Sequence, residues 1–80
     1  MNIYLLSHNQ VIRHGRYMRA VVVAKDEEDA RSIHPCTDEE FLSTYPFHYQ
    51  WVPQSEVTVK YLGIASTELN RGVISTTVAY

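Results

Sequence analysis

Ala20-Val21-Val22-Val23-Ala24-Lys25-Asp26-Glu27-Glu28-Asp29-Ala30-Arg31-Ser32-Ile33-His34-Pro35 is the stretch that decides the fold. Its first five residues are apolar at odd and even positions alike, the pattern of a strand that is central in its sheet or covered on both faces. Asp26 then stands where a helix N-cap is wanted, its carboxylate an acceptor for the unpaired N–H groups of the first turn. Glu27, Glu28 and Asp29 follow at the positive end of the helix dipole. Ala30 and Ile33, three apart, supply a narrow apolar face, and Pro35 stops the helix after His34. The reading is a strand over Tyr17 to Lys25 that feeds a main helix over Asp26 to His34.

Working outward, Asn2 to Ser7 has the aromatic and aliphatic content of a strand. His8 to Gly15 is a loop, with Asn9 and Gly15 as turn formers. Thr37-Asp38-Glu39-Glu40 is a capping-box pattern that supports one or two helical turns ahead of Pro46. Between Pro46 and Pro53 the chain is expected to be irregular or extended. Val57 to Tyr61 alternates as a strand, Gly63 marks a bulge before Ile64, and Asn70-Arg71-Gly72 carries turn chemistry before a final strand over Val73 to Tyr80. The expected fold is α+β: about four antiparallel strands with one main helix packed on them, in ββαββ order. Expected core residues are Ile3, Leu5, Val21, Val23, Ala30, Ile33, Val57, Val59, Ile64 and Val73.

Eighty residues make one domain, 1–80, and 45% hydrophobic with 20% charged content is globular rather than disordered. No apolar run reaches the roughly 18 residues of a membrane span, and Met1 leads straight into strand-like sequence without a signal-peptide pattern. The one cysteine, Cys36, has no internal disulfide partner, which fits a reducing cytosol. A domain this small buries only about 60% of its unfolded surface, so it is expected to be marginally stable or helped by self-association.

The net charge of −2 is unevenly laid out. Asp26, Glu27, Glu28, Asp29, Asp38, Glu39 and Glu40 face the single basic Arg31 within residues 26–40, whereas residues 8–25 hold Arg13, Arg16, Arg19 and Lys25 with no acid. A basic domain of the nucleic-acid-binding kind is absent. Solvated surface is the plainer reading of both clusters, beside a binding role, and the helix start already gives part of the acids a structural task.

The remaining constellations argue against chemistry. His34, Cys36 and His48 lack paired metal-ligand spacing and a fourth ligand, so no metal and no cofactor are expected. Cys36 follows a helix C-terminus, whose partial negative charge opposes a thiolate. No nucleophile elbow, phosphate-cradling glycine loop or zinc helix motif is present, so no catalytic residues and no enzyme are expected. The most unusual segment is aromatic: Tyr45, Phe47, Tyr49 and Trp51 fall on every second position, so an extended chain turns all four to one side. They form either a lid over the core or a docking surface, since Tyr and Trp concentrate at interaction hot spots.

The stretches Met1 to Ser7, Ala20 to Pro35, Trp51 to Ala65 and Arg71 to Ile74 together resemble a family of small uncharacterised phage and prophage proteins. The family pattern carries no catalytic motif. This chain departs from it in the basic Arg13-His14-Gly15-Arg16 loop and in the aromatic segment from Tyr45 to Trp51. The resemblance implies expression in the cytoplasm of a bacterial host. It also implies a viral inhibitor that works by protein–protein interaction on a host complex, with the anti-CRISPR proteins as one such class. Expected protein-binding residues are Asp26, Glu27, Glu28, Glu39, Glu40, Tyr45, Phe47, Tyr49 and Trp51, with Arg13, Arg16 and Arg19 as an alternative binding loop. No direct contact with nucleic acid or membrane is expected. The other reading is a phage accessory or structural protein acting as a homodimer, its last strand offering an edge for pairing.

Overall fold

The strands of this protein are rich in aliphatic, β-branched and aromatic residues, the types that suit a pleated, half-buried surface. The computed structural model describes residues 1–9, 17–36 and 51–78. In chain order the elements are β1 (Asn2–Ser7), β2 (Tyr17–Ala24), α1 (Glu27–Arg31), a 3-10 turn (Gln54–Glu56), β3 (Thr58–Ile64) and β4 (Gly72–Val78). The strands form one antiparallel sheet in the spatial order β3-β1-β2-β4. The expected ββαββ order is therefore not matched: a 3-10 turn intervenes between helix and third strand. The expected helical turn after Thr37 lies outside the described residues.

The helix is shorter than expected, ending at Arg31 rather than His34. Asp26 does cap it, its Oδ1 accepting from the Asp29 N–H at 2.8 Å. At the other end the Ser32 hydroxyl donates to the Asp29 carbonyl at 2.7 Å and takes up a terminal acceptor. Ile33, His34 and Pro35 then leave the helix and go inward, all three buried. Proline excludes the α region for the residue before it, so the chain has to turn ahead of Pro35.

One face of the sheet meets α1. Tyr4 and Leu6 of β1, Ala20, Val22 and Ala24 of β2, Ala30, Ile33, Trp51, Val52 and Val57 form a single apolar cluster, with Tyr17, Val59 and Val73 packed against it. Ala30, Ile33 and Val57 were expected there. Ile3, Leu5 and Val21 were expected too, but they occupy the odd positions, on the opposite face, and are only half-buried. Side chains alternate along a strand, so a one-residue error of phase exchanges core and surface. Val23 shares that opposite face and is fully buried. Ile64 is a plain correction: at the end of an edge strand it is 80% exposed.

Irregularities sit where glycine allows them. Tyr4 pairs with Tyr61 and Ile3 with Gly63, which leaves Leu62 as the extra residue of a bulge. Gly63 has φ 158° there, a conformation that side chains with a Cβ rarely adopt. The segment from Ala65 to Arg71 crosses from one sheet edge to the other. Its start is held by the Ala65 N–H, which donates to the Met1 carbonyl at 3.0 Å.

Candidate functional site

The acidic corner at the start of α1 divides into two pairs. Asp26 caps the helix, and Asp29 is held by three donors. The Lys25 N–H reaches its Oδ2 at 3.1 Å, and Arg71 Nε reaches Oδ1 and Oδ2 at 2.8 and 3.0 Å. Arg71 Nη2 also lies 2.8 Å from Oδ1 and donates to the Ser32 hydroxyl at 3.3 Å. The Arg71 bond, aided by the Lys25 N–H, holds the Asp29 carboxyl below the usual carboxylate range against the opposing effect of burial. Its guanidinium is pushed up in turn, chiefly by the same bond. Glu27 and Glu28 point to solvent. Of the expected acidic site, this is the pair that helix capping leaves facing outward. Glu39 and Glu40 lie outside the described residues.

Trp51 is fully exposed to nothing but protein, at 0% accessibility. Its indole ring meets the His8 imidazole edge-on, with centroids 5.1 Å apart. A ring enclosed in this way serves the core, as a lid residue would, and is not available for docking. Tyr45, Phe47 and Tyr49 lie outside the described residues, as do Arg13 and Arg16. Arg19 belongs to β2 rather than to the preceding loop, and it is exposed.

Beside Trp51, the end of the sheet collects the polar aromatic groups. His8 Nε2 is 2.9 Å from the Tyr17 carbonyl, which only accepts, so Nε2 carries the proton. His34 Nδ1 accepts from the Cys36 N–H at 2.9 Å and is therefore the unprotonated nitrogen. The Tyr17 ring stands edge-on to His34 at 6.5 Å. Burial pushes the Tyr17 hydroxyl up, and the neighbouring Cys36 thiol adds to that. These contacts close the end of the core, with His8 Nε2–H donating and His34 Nδ1 accepting within the fold. Among the described residues no group of three or more His, Cys, Asp or Glu side chains converges as a metal site. Among them, too, no helix is long and apolar enough to cross a membrane.

Sequence reading missed two features. The Asp29–Arg71 tie joins residues 42 apart in the chain, a pairing that no local pattern announces. Lys60 lies on the same sheet face as Arg19, which depends on strand register. Comparison with known proteins adds no relative: no protein-family model matches the chain, and neither does any curated protein or solved structure.

Proposed function

We propose that this chain is a non-enzymatic inhibitor of phage type that docks on a host defence complex, with a CRISPR effector as the target class to test. The observation that carries the reading is the division of the acidic corner. Asp26 and Asp29 hold the helix rigid, and Glu27 and Glu28 present two carboxylates from it. The cap orders the backbone that carries these carboxylates, so only their side chains are left to be ordered when they meet an electropositive nucleic-acid groove. Charge complementarity of this kind raises the association rate and selects the partner. Short-range affinity would come from neighbouring apolar surface, because exposed charge pairs contribute little by themselves.

The test is phage plating on CRISPR-active hosts with and without the protein. Protection of the phage, lost when Glu27, Glu28, Glu39 and Glu40 are reversed to lysine, supports the reading. Loss on reversing Arg13, Arg16 and Arg19 instead moves docking to the basic side. Equal plating across the major effector types ends it.

A specific observation favours the second reading, a phage accessory protein that self-associates. β4 is an edge strand in the sheet, contains no charged residue, and exposes Ile74 together with Ser75, Thr76 and Thr77. An uncharged edge lacks the usual protection against pairing with a second copy. Sedimentation at increasing protein concentration distinguishes the two, and Thr76→Lys should return a dimer to monomer.

A further inference from the structure

The four strands contain two charged residues, Arg19 of β2 and Lys60 of β3, and both are exposed. Register places them on one face, the face turned away from α1. Lys60, Leu5, Val21 and Ser75 form one row across the sheet, and Thr58, Ser7, Arg19 and Thr77 form the next. Every acidic side chain among the described residues lies outside the strands. Between the two cations, Leu5 and Val21 are half-buried. With Arg19, Ser75 and Thr77 they line an open groove of about 230 Å³.

Strand spacing near 4.8 Å and a rise near 3.3 Å per residue put the Arg19 and Lys60 Cα atoms about 12 Å apart. An extended segment returns to the same side every second residue. Positions four apart are therefore separated by about 13 Å, with one same-side residue between them. The two spacings match.

We propose that this face of the sheet docks an extended acidic peptide segment of the pattern acid–x–aliphatic–x–acid. One carboxylate meets the Arg19 guanidinium, which suits a planar two-oxygen acceptor, and the other meets the Lys60 ammonium. The aliphatic residue between them covers Leu5 and Val21, and the Ser75 and Thr77 hydroxyls, on β4 beyond Arg19, are left to residues of the segment outside the acid held by Arg19. A polynucleotide fits less well. Two cations are few for a phosphate backbone, and no aromatic ring offers a stacking surface here among the described residues. Tyr4 and Tyr17 pack into the core on the helix side, and Tyr61 pairs opposite Tyr4. The proposal is independent of the acidic corner and stands or falls separately from it.

Fluorescence anisotropy tests it with a labelled Ser-Glu-Ser-Val-Ser-Glu-Ser peptide and an analogue carrying lysine for both glutamates. The acidic peptide should bind with an affinity that falls as salt rises, and the lysine analogue should not bind. Arg19→Ala and Lys60→Ala should each weaken binding about two- to fivefold, the size of an exposed ion pair. Arg19→Glu combined with Lys60→Glu should lose the acidic peptide and gain the lysine one, with unchanged thermal melting because both side chains are exposed. Failure of the native protein to bind the acidic peptide overturns the proposal, as does equal binding of the two peptides. Tighter binding of oligothymidylate, lost in the same variants, assigns the face to nucleic acid instead. Self-association lost in those variants assigns it to a second copy.

Discussion

Trp51 shows how much of a small core one side chain can carry. It is fully buried among Leu6, Val22, Val52 and their neighbours, in a domain whose total stability is expected to be only about 5–10 kcal/mol. Truncating a buried aromatic costs about 3–5 kcal/mol through lost transfer energy and the cavity left behind. Trp51→Ala should accordingly lose most of the folding free energy in a urea titration, and a loss under about 1 kcal/mol would place the ring outside the core. Arg71 acts differently, because half of its side chain is solvated. Solvent screening limits its ion pair to about 0.5–1 kcal/mol. The Asp29 carboxyl is depressed in the folded state, so its contribution is complete above the unfolded carboxylate value and fades as pH falls through the folded one. The stability gap between parent and Arg71→Ala should therefore be open at about pH 6 and close towards pH 2–3, below the ordinary carboxylate range. A gap that stays constant with pH would mean that Arg71 acts by packing alone.

At the scale of elements, α1 is too short to stand by itself. Five residues cannot offset the cost of helix nucleation, so the helix exists because Asp26 caps it and Ala30 and Ile33 bury against the sheet. Arg31 adds a tether, donating to the carbonyls of Gln54 and Val57 around the 3-10 turn. Asp26→Ala should cost about 1 kcal/mol, the usual value of a cap, and Asp26→Asn should recover most of it. Ile33→Asp puts an unpaired charge into the helix–sheet contact and should unfold the domain. Melting within a degree or two of the parent would refute that packing. Among the strands, β1 and β2 are central and shielded, whereas β3 and β4 are edges. Any association by strand addition falls on those two, and Lys60 protects only one of them.

For the whole molecule, the acids among the described residues lie in the helix and the turns together with Lys25, Arg31 and Arg71, whereas Arg19 and Lys60 stand apart from them on the opposite sheet face. The two proposed contacts, one led by carboxylates and one by cations, call for partners of opposite charge. Raising ionic strength should weaken both a carboxylate-led contact with a basic groove and a peptide contact at Arg19 and Lys60. An apolar dimer through β4 should survive it. Measuring binding and sedimentation across a salt series therefore separates the charge-led readings from the dimer, and the charge of the partner that binds separates the two charge-led readings from each other.

The four strands and the start of the helix were legible in the chain because their signals are local, whereas the 3-10 turn over Gln54–Glu56 was not. β-branched runs marked the strands, Asp26 before three acids marked the helix start, and Gly63 marked the bulge. The face that each central strand buries was not legible. Ile3-Tyr4-Leu5-Leu6 and Ala20-Val21-Val22-Val23-Ala24 are apolar in both phases, so the period-two signal that separates inside from outside is missing from them. Only docking of α1 and Trp51 on one side made Tyr4, Leu6, Ala20 and Val22 the core, and left Leu5, Val21, Arg19 and Lys60 together on the other side. The same holds for the candidate surfaces. Composition located the acids and the rings, but whether a carboxylate caps, pairs or faces solvent depends on groups distant in sequence. Arg71 reaching Asp29, and Trp51 enclosed against His8, are contacts that exist only once the sheet has brought those segments together.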